Sequence, residues 1–352
     1  MQFTINGINV EASEGMTILQ VARQYGINIP TLCYLENISD IGSCRLCVVE
    51  IEGDSVLRTA CNTKAKEGMV VYTRSEKVIE ARKTVLKLIL ADHYGDCLCC
   101  DKNGACDLQK YCIEYGVSTS KYMGAAQEKN IEIQDENQFL SYDPAKCIRC
   151  ERCLMTCSKA AGRKAISLGK KGAQALIQVP FGAGWDTSIC ESCGNCAQAC
   201  PTGALTMKRR KEYREWEVTR VRTTCPHCAT GCQMDLIVKD GKIVDVEGAF
   251  GPSNKGLLCV KGRSSSFDFV HSPERLKNPL IKNKETGEFE EATWEEALDL
   301  VAKKFLELRE NYGGEALAGF ACSRSANEDI YMLQKMVRTS FKSNNTDNCA
   351  RV

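Results

Sequence analysis

Two cysteine runs could do chemistry by themselves. Cys147, Cys150, Cys153 and Cys157 stand at C-x2-C-x2-C-x3-C, and Cys190, Cys193, Cys196 and Cys200 repeat that spacing just before Pro201. Three thiolates at i, i+3 and i+6 on a tight loop can hold three irons of one cube, and the fourth, thrown past a turn, reaches the other cube. The expected ligation is therefore crossed. Cys147, Cys150 and Cys153 share one [4Fe–4S] cluster with Cys200, and Cys190, Cys193 and Cys196 share the second with Cys157. Proline at 201 stops a helix from running through it, and Ser158 stands at the equivalent place in the first half. Zinc knuckles are the rival, but zinc takes a tetrahedron of four ligands, usually as two separated pairs, which two unbroken four-cysteine runs suit poorly.

The totals favour metal over disulfide. The chain has 352 residues, 23 cysteines and a net charge of +1 with acids and bases interspersed, enough length for roughly two to four domains. No basic stripe points to nucleic acid. Residues 1–7 lack the basic and apolar regions of a signal peptide, and no run of about 18 apolar residues exists to span a membrane. A cysteine-rich, unexported chain with clustered thiols reads as a metal binder of the reducing cytoplasm.

The first 78 residues read as a small β-rich domain. Phe3–Ile5 and Ile8–Val10 flank Asn6-Gly7, a hairpin signal. Thr17–Tyr25 has helical spacing and closes at Gly26, while Leu46–Ile51 and Met69–Tyr72 are strand-like. Into this scaffold fall Cys33, Cys44, Cys47 and Cys61, with Gly42 and Gly53 available for a tight loop; a zinc site plus buried cysteines is the alternative. A helix from Glu76 to His93 follows, with Val78, Val85, Leu86, Ile89 and Leu90 apolar. His93, Cys97, Cys100 and Cys106 then stand at H-x3-C-x2-C-x5-C. A histidine there can be a ligand or simply a helix cap. Cys99 and Cys112 are left over and are expected to be small buried hydrophobes. Residues 126–140 are polar and read as a linker or a short strand (Ile131, Ile133). The pair Gly182 and Gly184, in the insert of the cysteine repeat, reads as a turn rather than a phosphate loop.

From residue 216 a new module begins. Trp216–Arg222 is a strand, Met234–Val238 and Ile243–Val246 are strands around Asp240-Gly241, and Cys225, Cys228, Cys232 and Cys259 are framed by them, with Lys261 close behind. In isolation this passes for a zinc ribbon, and Lys261 for a surface lysine. Beyond 275, Trp294–Leu308 is an amphipathic helix with Ala297, Leu298, Val301, Phe305 and Leu308 on one stripe. Ala316–Cys322 reads as a buried strand and Glu328–Phe341 as a second helix. This is the start of an α/β domain whose strand finds no parallel neighbour after it.

These patterns resemble known families. The set Cys33, Cys44, Cys47 and Cys61 is similar to the N-terminal [2Fe–2S] domain of the complex I large iron–sulfur subunit and of related dehydrogenases and iron hydrogenases. The pattern His93, Cys97, Cys100 and Cys106 is similar to the His/Cys3 [4Fe–4S] site of the same family, where an imidazole in place of a thiolate raises the potential. Cys225, Cys228, Cys232 and Cys259 resemble the N-terminal [4Fe–4S] domain of molybdopterin oxidoreductases, in which the position of Lys261 lies between cluster and pterin. In order, the sets resemble the catalytic subunit of NAD-linked molybdenum- or tungsten-dependent formate dehydrogenases of anaerobes.

The resemblance implies a multidomain α+β chain with one [2Fe–2S] and four [4Fe–4S] clusters. Its domains would be a β-grasp [2Fe–2S] domain at 1–78, a helical His/Cys3 domain at 79–125, a linker at 126–140 and a double-cubane ferredoxin domain at 141–215. A β-rich [4Fe–4S] domain at 216–274 and the start of an α/β molybdopterin-binding domain at 275–352 would follow. It further implies a Mo- or W-bis-pyranopterin guanine dinucleotide, reversible formate oxidation to CO2, and a flavin/NAD(P)-binding partner, with a small [2Fe–2S] subunit or a hydrogenase beside it. The tail from Ser323 to Val352 looks like the lead-in to that family's selenocysteine or cysteine metal ligand. The expectation is therefore that the chain stops at a selenocysteine codon, that no catalytic residue lies within it, and that Cys322 and Cys349 are buried structural cysteines. The rivals are an electron-transfer subunit of a complex I-like or bifurcating hydrogenase complex, and a multi-zinc module.

Overall fold

A computed structural model describes residues 1–93, 95–118, 132–172, 175–180, 184–209, 213–265 and 267–350. The chain forms two compact units, residues 1–219 and 220–352.

The first unit opens with β1 (Gln2–Ile5) and β2 (Ile8–Glu11), paired antiparallel. Asn6 and Gly7 between them have φ of 51° and 78°, the left-handed pair that a two-residue hairpin turn requires. Helix α1 (Ile18–Gln24) is started by a capping box between Thr17 and Gln20 and buries Ile18, Leu19, Val21 and Ala22. Strands β3 (Val48–Ile51), β4 (Arg58–Thr59) and β5 (Val70–Tyr72) complete a sheet in the order β2-β1-β5-β3-β4. Phe3, Ile5, Leu19, Val49 and Val71 form its core together with Cys47 and Cys61.

Helix α2 (Glu76–Asp92) starts at the Ser75 cap and ends at His93, its C-cap. Helix α3 (Asp107–Glu114) is capped by Cys106. Leu86 and Leu108 meet Leu32 and Leu46 between these helices and the sheet. The helical face also buries Arg82, 1% exposed. Its Nη2 donates to the Val48 carbonyl and its Nη1 to the Tyr115 hydroxyl, both at 2.8 Å. The helix that ends in His93 is thus fastened to the residue following Cys47. Arg82→Ala is expected to lower stability by about 2–4 kcal/mol, since it strands a buried carbonyl and opens a void. Denaturant titration followed by circular dichroism checks this; an unchanged midpoint would show the guanidinium to be dispensable.

The cysteine repeat is built on β6 (Leu140–Tyr142), α4 (Arg152–Met155), β7 (Ser167–Gly169), β8 (Leu176–Gln178), α5 (Asn195–Ala199) and β9 (Leu205–Met207). Strands β6 and β9 pair antiparallel, so the two ends of the repeat meet, and β7 and β8 form a hairpin within the insert. Tyr142, Ile177, Trp185 and Leu205 pack around Cys153 and Cys196. Of the expected short strand and turn, Ile131 and Gly182 lie outside the described residues. Ile133 is exposed and lies in no strand, beside a single bridge from Gln134 to Tyr142.

In the second unit, β10 (Thr219–Thr224), β11 (Gln233–Lys239) and β12 (Lys242–Gly248) form a three-stranded sheet in that order. The first strand begins later than the sequence suggests, because Glu215–Glu217 makes a 3-10 turn. Helix α6 (Val260–Ser264) follows. The loop before it is held by Asn254, whose Nδ2 donates to the carbonyls of Gln233, Ala249 and Leu257 while its Oδ1 accepts from the Gln233 N–H.

Next come the hairpin β13 (Leu280–Lys282) and β14 (Phe289–Glu291), then α7 (Trp294–Tyr312), β15 (Gly319–Ala321), α8 (Asn327–Met336) and β16 (Thr346–Asn348). Three expectations are corrected here. β15 does have a parallel neighbour, since β16 pairs with it after α8 crosses over. The strand is only three residues long, because Gly314–Ala316 makes a 3-10 turn, and its Phe320 is 77% exposed. None of the stripe residues of α7 is buried, although Phe305 meets the Phe341 ring with centroids 4.8 Å apart.

Candidate metal centres

The two halves of the cysteine repeat share one backbone device. Arg149 and Glu151 have φ of 56° and 58°, and Ser192 and Gly194, at the matching places, have 53° and 72°. Left-handed residues other than glycine cost about 1–3 kcal/mol each. Here they curl the chain so that the Arg149 N–H donates to Cys147 Sγ and the Ser192 N–H to Cys190 Sγ, both at 3.4 Å. Amides curved toward a sulfur favour its anionic form. Helices α4 and α5 then carry Cys153 and Cys196 into the core, 7% exposed each.

The fourth thiols are delivered differently. After α5 the chain breaks at Cys200 and Pro201. After α4, serine in place of proline keeps an N–H, and the chain runs on as a π-helical turn, Thr156–Ala160, that holds Cys157. The Ser158 hydroxyl donates back to the Leu154 carbonyl at 2.9 Å. Burial pushes the thiols of Cys150, Cys153 and Cys196 up. The neighbouring sulfurs felt by Cys150 are Cys200 and Cys147. Those felt by Cys157 are Cys193 and Cys190, and Cys196 feels Cys193, Cys190 and Cys157. The sulfurs thus fall into two crossed neighbourhoods, which abut where Cys153 feels Cys196.

The His93 site is clamped to this repeat. Its Nδ1 lies 3.0 Å from the Lys146 carbonyl, which also accepts from the Thr202 hydroxyl at 3.0 Å. A carbonyl can only accept, so Nδ1 carries the hydrogen and the lone pair is on Nε2, the form a metal binds. Two arginines of the first cysteine loop hold the residues that flank the site: Arg149 pairs with Asp92 and Arg152 with Asp107, the latter at 3.0 Å. A Cβ added to Gly95 would stand 2.8 Å from His93 Nε2 and 3.6 Å from Cys97 Sγ, so imidazole and thiol face one point. Gly95→Ala should therefore displace the ring. We expect it to cost about four irons per chain, one cubane, read by iron analysis against the wild type; full iron retention would show that His93 is not a ligand there.

A cavity of about 480 Å³ lies beside this point, lined by His93, Cys97, Cys106 and Cys112 among others. Of the two leftover cysteines, Cys112 packs partly buried against the Leu86 and Leu108 cluster, whereas Cys99 is not the buried hydrophobe expected. Cys99 is exposed in the turn before α3, and Cys112 is half-buried on the cavity wall. Desolvation pushes Cys106 and Cys112 up to about 11.

In the β-rich domain, Cys33 follows α1, Cys44 and Cys47 lie in the loop entering β3, and Cys61 follows β4. Cys33, Cys47 and Cys61 are at most 1% exposed. The loop turns at Gly42 and Arg45, with φ of 68° and 59°. A side chain at Gly42 would also meet Asn62 Nδ2 at 2.7 Å. Gly53, in contrast, turns at the far end of β3 with open space around it. Cys33 neighbours Cys44, and Cys47 neighbours Cys61; the Cys44 thiol beside it holds Cys33 down at about 5.

In the second unit, Cys225 follows β10, Cys232 precedes β11 and Cys259 caps α6. The Cys225 N–H donates to the Cys232 carbonyl at 2.8 Å, and a Cβ at Gly262 would stand 3.5 Å from Cys225 Sγ and 3.9 Å from Cys259 Sγ. The hydroxyl of Thr230 lowers the Cys228 thiol, with smaller help from the cations of Arg324 and Lys261. His227 is half-buried between the first two cysteines. Cys322 and Cys349 are exposed rather than buried, because they lie just past the ends of β15 and β16; their sulfurs are 3.9 Å apart.

Among the described residues, no three His, Cys, Asp or Glu side chains converge on a point a single ion could fill. Sets of thiols, in one case completed by an imidazole, are the donor chemistry of iron–sulfur clusters, and amides aimed at the sulfurs suit them. No described helix is long and apolar enough to cross a membrane.

Five family models match the chain in succession. They are a 2Fe-2S iron-sulfur cluster binding domain at residues 1–76, the NADH-ubiquinone oxidoreductase-G iron-sulfur binding region at 82–121, and the ferredoxin-like domain of NADH-quinone oxidoreductase subunit 3 at 137–206. The molybdopterin oxidoreductase Fe4S4 domain matches at 218–271 and molybdopterin oxidoreductase at 275–352. The NADPH-Fe(3+) oxidoreductase subunit alpha of Geobacter sulfurreducens is 37% identical over 100% of this chain and 40% of its own length. An NADH-quinone oxidoreductase subunit of Rhizobium meliloti is 35% identical over the same shares. A provisionally named formate dehydrogenase of Staphylococcus haemolyticus is 30% identical over 99% of this chain and 39% of its own. The chain thus spans about 40% of the length of these curated relatives. A crystal structure of an NAD+-reducing [NiFe]-hydrogenase is similar with a TM-score of 0.57 at 29% identity, over 60% of this chain and 89% of the other. Segment by segment, the chain is similar first to iron–sulfur cluster-binding regions of NADH-quinone oxidoreductase and then to molybdopterin oxidoreductase sequence.

Proposed function

We propose that this chain is the electron relay of a cytoplasmic, molybdenum- or tungsten-dependent formate dehydrogenase that delivers electrons to a flavin/NAD(P)-binding partner. Cys33, Cys44, Cys47 and Cys61 hold the [2Fe–2S] cluster at 1–78, and His93, Cys97, Cys100 and Cys106 a [4Fe–4S] cluster at 79–125. The crossed sets of the repeat hold two more at 141–215, and Cys225, Cys228, Cys232 and Cys259 a fourth at 216–274, with Lys261 beside it on the path to a bis-pyranopterin site. When bound, such clusters supply one-electron steps between a two-electron oxidation and a two-electron acceptor.

The observation that carries this reading is the clamp between adjacent thiol sets. One carbonyl, that of Lys146, receives the Nδ1–H of His93 and the Thr202 hydroxyl two residues after Cys200, and Arg149 and Arg152 grip the residues next to His93 and Cys106. Centres that must exchange electrons need fixed spacing, and these contacts fix it. Support for formate comes from the names of relatives at about 30% identity. The test is viologen reduction by the metal-loaded, full-length protein: formate-dependent reduction supports the reading, and its absence removes it. A second reading, a relay subunit of a complex I-like or hydrogenase complex, is favoured by the NADH-quinone oxidoreductase relative and the hydrogenase structure; co-purification of a hydrogenase or quinone-reducing assembly would select it.

A further inference from the structure

The His93 site has one thiol more than it needs. The wall of its cavity already holds one imidazole and three thiols: His93, Cys97, Cys106 and Cys112. Cys100, assigned to this site by its spacing, is turned toward Gly203, with its Sγ 2.5 Å from where a Cβ on that glycine would stand. Both candidates neighbour the Cys106 sulfur, and Cys112 neighbours that of Cys97 as well.

We propose that Cys112 is an interchangeable ligand of this cluster, taking the fourth position in place of Cys100, with His93, Cys97 and Cys106 common to both sets. The inference rests on reading this site as a His/Cys3 cluster. Its physical basis is the difference between the two thiols' supports. Cys112 sits on α3, which is anchored by the Cys106 cap and by buried Leu108 and Tyr111. Cys100 sits in the turn-rich loop before that helix. A loop can swing a ligand away while a packed helix keeps its own in place. One thiolate replaces another, so the charge of the site is unchanged. The incoming thiol loses a proton as the outgoing thiolate gains one.

The test uses the anaerobically reconstituted chain with Cys100→Ser, Cys112→Ala and both together, followed by iron and sulfide analysis and by electron paramagnetic resonance of the reduced protein. Each single variant should keep this cluster, with about four irons, and Cys100→Ser should shift its g-values. The double variant should lose both irons and signal. If Cys100→Ser loses the cluster as completely as the double variant, while circular dichroism shows both folded, the exchange is excluded. Cys100→Ala serves as a second version should serine itself ligate. A wild-type chain without this signal overturns the cluster reading and the exchange with it.

Discussion

Cys200→Ser should empty the cluster built on Cys147, Cys150 and Cys153, and spare the one built on the three cysteines nearest to it in sequence. The sulfur of Cys200 lies in the field of Cys147 and Cys150, whereas Cys157 lies in that of Cys190 and Cys193. Serine offers a harder, less acidic oxygen, so the affected cubane is expected to be lost or cut to about three irons. The reciprocal variant, Cys157→Ser, should spare the first cluster and damage the second. Because two cubanes a short distance apart broaden each other's resonance, removing either one should also simplify the spectrum of the reduced protein. An uncrossed arrangement predicts the opposite: Cys200→Ser would then damage the cluster of Cys190, Cys193 and Cys196. That result would sink the assignment for the whole repeat.

Cys61→Ser is expected to bleach the [2Fe–2S] signal alone. Cys61 is fully buried beside Cys47 at the edge of the sheet, so no solvent ligand can easily replace it. Under the proposed relay this cluster is the last before the flavin partner. NAD(P) reduction should then fall at least about tenfold, while formate-dependent dye reduction, which draws electrons earlier, stays near wild type. Equal loss of both activities with the other clusters intact would mean that the order of the centres is wrong.

Much of this was legible in the residues. The hairpin at Asn6-Gly7, α1, α2 and the β11–β12 hairpin were readable because turn chemistry and period act locally. The paired cysteine loops of the repeat were readable too, because its spacing encodes loop geometry; their crossed ligation is what Cys200→Ser tests. What escaped depends on distant partners. Arg82 looks like a surface residue of a helix until its guanidinium is seen on the Val48 carbonyl, and Arg149 and Arg152 look like generic charges until they meet Asp92 and Asp107. Cys112 gave no signal beyond being a spare thiol on a helix; its place on the cavity wall depends on how α2 and α3 pack. The pairing of β15 with β16 was missed because a three-residue strand of polar composition, Thr346–Asn348, carries no hydrophobic pattern.

The matched left-handed residues and exchanged fourth sulfurs of the repeat also bear on how this domain can be inherited and assembled. Under the proposed crossed ligation, each half would leave one corner of its own cube to the other. A gene fragment encoding either half would make a loop that cannot close around its metal, so shuffling can move the pair only as one cassette. On that reading, the machinery that delivers iron and sulfide would have to find both loops already docked, making mutual docking of the halves a checkpoint before maturation.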